Sequence, residues 1–279
     1  VKTKSNYSFS LFGFEILACL VGLLFLSPFY FLISNSFKSF REILVDAASW
    51  PKDFTLDNFK KAWEIIDFPK VAVNSLMITV LSVLCIVLFS AMLAYRLVRR
   101  PTTFNRLIFV VLIAAMIIPF QSIMLQMVKV AALLHLHGTL YGIIVCYIGF
   151  GLPLAMFLFH GFIKSVPHEI EESAVIDGCS PYGVFFRIVL PLVRPIAVTV
   201  IILNVLWIWN DYLLPVLIIG RNDALRTIPL AIQSFFGQYT KKWDLAMAAL
   251  TLSIVPIIVF FLSLQKHVVE GVSQGALKG

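Results

Sequence analysis

The sequence predicts an all-α membrane protein with six transmembrane helices and one large polar loop between the fourth and the fifth. Three observations predict it. The 279 residues are 60% hydrophobic and only 13% charged, with a mean hydropathy of +0.94, well above the roughly half-apolar mix of soluble domains. The apolar residues form continuous runs that supply the ~20 residues a spanning helix needs, rather than the alternating segments of a membrane barrel. The polar residues gather between those runs, above all at 161–194.

Intervals free of Asp, Glu, Lys and Arg mark the spans. They run 16–37, 71–95, 107–128, 130–163, 195–210 (continuing to 220 past Asp211) and 245–265. The 34-residue interval 130–163 is too long for one helix, and Gly138 within HLHGT marks a helix start, which places the fourth span at about 139–160. The expected spans are thus 16–37, 71–95, 107–128, 139–160, 195–220 and 245–265, in a single membrane domain covering 1–279. An even count leaves both termini on one side. Charge does not choose that side, because the 22 Lys and Arg divide evenly between the two faces; only RLVRRPTTFNR, Arg96 to Arg106, leans toward a cytoplasmic loop. VKTKSNYS is too short and polar for a cleavable signal, so the first span is expected to be retained. In the outer loop 38–70, Leu56, Phe59, Trp63 and Ile66 follow Thr55 at helical spacing and predict a short amphipathic helix.

Several function classes are excluded by what the residues lack. The +7 net charge comes without a basic tract or an aromatic-interleaved basic face, so nucleic acid is not an expected partner. Cys19, Cys85, Cys146 and Cys179 lie too far apart for a disulfide frame or a zinc site. His135 and His137 have no third ligand at metal-site spacing. GxxxxGK[ST] is absent, so the chain is not expected to bind ATP in the P-loop manner. No Ser/His/Asp or paired-carboxylate arrangement stands out, and the chain is read as a non-enzyme.

The polar loop has internal order. PHEIEESAVIDGCSPYGVFFRIVLPLVRP, Pro167 to Pro195, reads as two short helices joined at a glycine. Pro167 suits a first helical turn, and Glu169, Glu171 and Glu172 lie near the positive end of that helix dipole. Gly178 is the expected stop. Ser180 is the N-cap of the second helix and Pro181 its first residue, while Tyr182, Phe185, Phe186 and Val189 give it one apolar face. Pro191 and Pro195 close it. From spacing alone, a solvated connector is an equal alternative.

The residue identities go further. Glu172, Ser173, Ala174, Asp177 and Gly178, followed by Phe186, Ile188, Leu190, Pro191 and Pro195, resemble the EAA loop of the membrane subunits of binding-protein-dependent ABC importers. Ser173 replaces the middle alanine of that pattern and Cys179 an alanine after the glycine. The resemblance implies a coupling helix that docks in a cleft of a separate ATPase, carried here by Glu169, Glu172, Ser173, Ala174, Asp177, Gly178 and Pro191. It implies a second homologous permease, two ABC ATPase subunits holding ATP and Mg, an extracytoplasmic sugar-binding protein and membrane lipid as partners, with no cofactor on this chain. It also puts the loop and both termini in the cytoplasm of a bacterial cell membrane.

Further stretches are similar to the maltose-type sugar permeases: PFYFLISNSFK, TLDNF, NSL at 74–76, TIPLAIQSFFGQYTKKW and VEGVSQGALKG. That likeness implies that an outer loop bearing Gln233, Phe236, Gln238 and Tyr239 reaches toward the binding protein, and that the tail approaches the ATPases. The resulting expectation is a permease subunit importing a carbohydrate, an oligosaccharide in particular. A non-sugar ABC permease, or a secondary transporter or channel, is the alternative. A membrane enzyme would need titratable groups at one depth, which the sequence lacks.

Two spans carry polar residues that could line a passage. In MIIPFQSIMLQ, Pro119 breaks the third span just before Gln121 and Ser122, and the freed backbone groups need partners; a plain kink explains the proline equally well. In NVLWIWNDYLLP, Asn204, Trp207 and Asp211 share one helical face, and Trp209, Asn210 and Asp211 match a Trp-Asn-acid feature of sugar permeases. Asn204, Asn210 and Asp211 are therefore candidate pathway residues, with an aromatic-belt position near the outer interface as the alternative. Gly149, Gly151 and Pro153 are read as sites of close helix approach.

Overall fold

The computed structural model describes residues 9–220, 222–237 and 241–276, with side chains described between 11 and 263. It is built from helices: α1 Phe9–Ser36, α2 Phe40–Val45, α3 Asp57–Ile65, α4 Phe68–Arg99, α5 Thr103–Ile117, α6 Phe120–Leu133, α7 Leu140–Lys164, α8 His168–Ile176, α9 Pro181–Val184, a π-helical turn Phe185–Val189, α10 Leu190–Leu192, α11 Arg194–Asn210, α12 Leu213–Ile218, α13 Ile228–Ile232 and α14 Trp243–Ala276. Among the described residues the extended pairing is an isolated bridge between Phe236 and Lys241.

Four helices are long and apolar enough to cross a membrane, Leu11–Ser36, Phe68–Arg99, Leu140–Lys164 and Trp243–Ser263, or six spans if each of two bent pairs counts as one. The first bent pair falls in the third span, at the break that Pro119 marks in the sequence; the second joins the end of the polar loop to the fifth span. α5 and α6 turn by 111° at Ile118 and Pro119, because proline has no N–H to give and biases the residue before it out of the helical region. The expected helix 195–220 ends instead at Asn210: Asp211 is extended (φ −75°, ψ 130°), and its carboxylate takes the N–H of Leu213 at 3.0 Å to start α12. At its other end α11 meets the segment Pro181–Leu192 at 75°.

The described helices pack as two compact units, one comprising residues 9–68 with Ile232–Val255, the other Pro69–Ala231 with residues 256–276. In the first, α1 exposes apolar side chains such as Leu20, Leu24 and Phe25, as a lipid-facing helix does. Its polar end is tightly tied. Asn58, at the start of α3, donates to the carbonyls of Ser36 (3.0 Å) and Lys38 (2.7 Å); Phe37 stacks on Phe54 at 4.4 Å; and the buried Lys38 donates to the carbonyls of Asp46 and Ala47. The backbone N–H groups of Ser49 and Ala48, together with the nearby Lys38 charge, hold the Asp46 carboxyl below its usual range. The expected amphipathic helix is thus α3, with Trp63 against Phe68 at 4.8 Å.

The second unit is centred on α7, whose Ile143, Tyr147, Met156 and Phe159 are fully buried. Here Gly151 permits a close approach: a Cβ at this position would lie 2.6 Å from Ile86 of α4 and 2.8 Å from Asn204 Oδ1 of α11. Three helices meet where one side chain is missing.

Candidate functional site

The loop between α7 and α11 is an ordered bent element. Gly178 adopts φ +85°, the left-handed cap open to glycine without strain, and the Cys179 N–H returns to the Ala174 carbonyl at 2.9 Å. Ser180 then caps α9, accepting from the Gly183 N–H at 3.2 Å, with Pro181 as its first residue. The expected single apolar face of the second helix is divided: Phe185 and Val189 are buried, whereas Tyr182 and Phe186 are exposed. The reason is that Phe185 is taken up against Tyr95 of α4 at 5.4 Å.

A buried carboxylate anchors the element. Glu171, 4% exposed, accepts from Arg99 Nε (2.8 Å) and from the Tyr95 hydroxyl (2.9 Å), while Arg99 also donates to the Val166 carbonyl at 2.9 Å. The guanidinium meets Glu171 Oε1 and the Tyr95 hydroxyl meets Oε2, so both oxygens of the buried carboxylate are satisfied, as a buried charge requires. The other loop residues singled out above have different settings. Glu169 and Asp177 are exposed and Ala174 is buried; Glu172 is paired with His168 at 2.9 Å in an exposed position; Ser173 donates to the Glu169 carbonyl at 2.8 Å; and Pro191 is exposed in α10.

Away from this loop, α6, α7 and α11 border a cavity of about 260 Å³. Gln121 and Asp211 both line it, together with Phe120, Phe150 and Trp207. Asp211 accepts from the Tyr147 hydroxyl at 3.0 Å, and Tyr147 stands edge-on to Trp207 at 5.5 Å. Ser122 is exposed outside that lining. Asn204 is buried against Gly151 and donates back to the Val200 carbonyl at 2.8 Å, and Asn210 is exposed and donates to the Leu206 carbonyl at 2.8 Å. Trp209 is buried, whereas Trp207 is 40% exposed.

Of the outer-loop residues, Gln233 is exposed and Phe236 packs on Trp243 at 5.2 Å; Gln238 and Tyr239 lie outside the described residues. The loop before them is pinned to the start of α4. Asn74 donates to the carbonyls of Ala224 and Arg226 at 2.9 and 3.0 Å, and Ser75 accepts from the Ile228 N–H at 2.9 Å.

Residues 86–274 match the family described as binding-protein-dependent transport system inner membrane component. The chain belongs to this family. It is therefore a permease component, a transport subunit of a multi-pass inner-membrane assembly. Among similar proteins, a probable starch degradation products transport system permease of Thermoanaerobacterium thermosulfurigenes is 41% identical, over 94% of this chain and 95% of that protein. A melibiose/raffinose/stachyose import permease of Bacillus subtilis is 35% identical, over 95% of each. The permease also shares the fold of a chain in a solved bacterial ABC transporter involved in the import of the acidic polysaccharide alginate, with a TM-score of 0.76 at 20% identity, covering 94% of this chain and 99% of that one.

Sequence reasoning passed over Tyr95, Arg99 and Glu171 as a group. A faint signal existed in the doubled acid Glu171-Glu172 and in the arginine density that ends α4. Which of the two carboxylates turns inward is decided by the packing of α8 on α4.

Proposed function

We propose that this permease imports a carbohydrate, an oligosaccharide in particular, delivered by an extracytoplasmic binding protein and driven by ATP hydrolysis on separate subunits. The observation that carries the ATP-coupled part is the bent loop. It is anchored at Glu171 yet turns Ile176 (85% exposed) and Tyr182 (74% exposed) outward, an apolar knob on an otherwise polar connector that a partner has to cover. Its expected partner is a pair of ABC ATPase subunits carrying ATP and Mg; a second homologous permease would complete the pathway. Closing of the ATPases would draw the two permeases' loops together and turn an inward-facing cavity outward. Arg99 ties the arginine-dense end of α4 to this loop, which favours a cytoplasmic loop and cytoplasmic termini. The carbohydrate class follows from the sugar-named relatives matched over nearly the full chain.

The test is uptake of radiolabelled maltotriose and raffinose in cells deleted for the chain. Uptake is expected to be lost, to return with the gene, and to stop when ATP is depleted. Uptake that survives ATP depletion but collapses with the ion gradient would point to a secondary transporter. In the same cells, Ile176→Cys treated with a short bifunctional thiol–amine reagent should capture an ATP-hydrolysing subunit; capture of none would remove the coupling role of the loop.

A further inference from the structure

The helix breaks of the second unit converge. α5 stops before Pro119 and α11 stops before Asp211, and the residues just beyond or before each stop line the same 260 Å³ cavity. Gln121 comes from the first turn of α6. Trp207 and Asp211 come from the end of α11, and Phe150 from α7.

The wall chemistry is specific. Three aromatic rings, Phe120, Phe150 and Trp207, offer flat apolar faces, and an amide and a carboxylate offer hydrogen bonds between them. A sugar ring needs that mixture: its C–H faces lie on aromatic rings while its equatorial hydroxyls seek acceptors and donors. The groups are held in place beforehand. Tyr147 donates to Asp211 Oδ2 and the Leu213 N–H to Oδ1, both at 3.0 Å; Phe120 is held edge-on by Phe150 at 5.1 Å. Groups fixed before binding lose little freedom when a ligand arrives. A lone carboxylate already holding two donors is a poor cation site, since hard cations take several oxygens. The size, somewhat under the ~300–1,000 Å³ of whole small-molecule sites, suits one ring of a longer chain.

We propose that this cavity is a sugar-ring subsite belonging to this permease itself, with Trp207 and Gln121 touching the ring and Asp211 accepting from a hydroxyl. The proposal rests on the carbohydrate reading above and goes beyond it, because discrimination among sugars is then shared by this chain and not left to the binding protein and the second permease alone.

The experiment uses the complete transporter in proteoliposomes with its binding protein, and follows radiolabelled maltotriose and raffinose together with ATP hydrolysis. For Gln121→Ala and Trp207→Ala, sugar imported per ATP hydrolysed should fall about tenfold, the size expected for losing one ring contact or hydrogen bond, and the maltotriose-to-raffinose ratio should change. A merely structural defect would lower import and hydrolysis together. Gln121 is exposed and makes no side-chain hydrogen bond among the described residues, so its variant should assemble normally and decides the matter if Trp207→Ala does not assemble. Unchanged sugar-to-ATP ratios in Gln121→Ala would overturn the subsite while leaving the importer reading intact. Import of neither sugar by the unaltered transporter would overturn the carbohydrate reading and the subsite with it.

Discussion

The Arg99 guanidinium and the Glu171 carboxylate meet at 2.6 Å, joining the last turn of α4 to the first turn of α8. Both side chains are largely withdrawn from solvent, at 14% and 5% exposure, so this pair is unlike the exposed ones whose net worth is small. The contact between α8 and the long helix α4 is thus charged and hydrogen-bonded, and under the coupling role proposed above it is the path by which a push on α8 would reach α4.

Glu171→Ala strands the Arg99 charge, and removing one partner of a buried pair costs roughly 3–5 kcal/mol. The unfolding temperature of the purified transporter should drop, and uptake with it. Exchange of the two charges, Arg99→Glu with Glu171→Arg, should recover part of both. Equal uptake in Glu171→Ala and the parent protein would show that the contact transmits nothing.

Gly178 makes a second prediction, through backbone conformation. No atom lies within 4 Å of a Cβ built there, so crowding inside the chain is not the obstacle. The obstacle is φ +85°, which costs a side-chain-bearing residue roughly 1–2 kcal/mol. Gly178→Asn should be the mildest replacement. Gly178→Leu should insert normally, by membrane fractionation, and abolish uptake; transport at the parental rate would disprove the coupling role of this turn.

At Gly151 the prediction is steric. Gly151→Ala places a methyl against Ile86 and the Asn204 amide, and overpacking of this kind costs about 1–3 kcal/mol. Asn204→Ala in the same chain should relieve part of it, so the two changes should not add. A thermal-unfolding cycle over the four proteins reads the coupling directly; strict additivity would mean the two residues do not press on each other.

Much of the loop was legible because its signals are local. A glycine stop, a serine cap and a proline at the first helical position act on backbone groups within three or four residues, so Gly178, Ser180 and Pro181 could be assigned from their order alone. The spans were legible for a similar reason, since freedom from charge is a property of consecutive residues. Where a helix would break was half visible: Pro119 announces its own break, but Asp211 ends α11 through a side-chain bond to Leu213 that a charge-free interval does not reveal.

By itself the sequence determined an all-helical membrane chain, the place of the bent loop and the residues that bend it. Tertiary structure alone decided which acid of Glu171 and Glu172 turns inward, which two of four aromatic and apolar residues on α9 and its π-turn stay outside, and that Gln121 and Asp211 border one cavity while Asn204 fills a helix junction. The physical reason is distance along the chain. Caps and apolar runs are settled between near neighbours, whereas Tyr95, Arg99 and Glu171, or Gln121 and Asp211, become partners only after helices far apart in sequence have packed together.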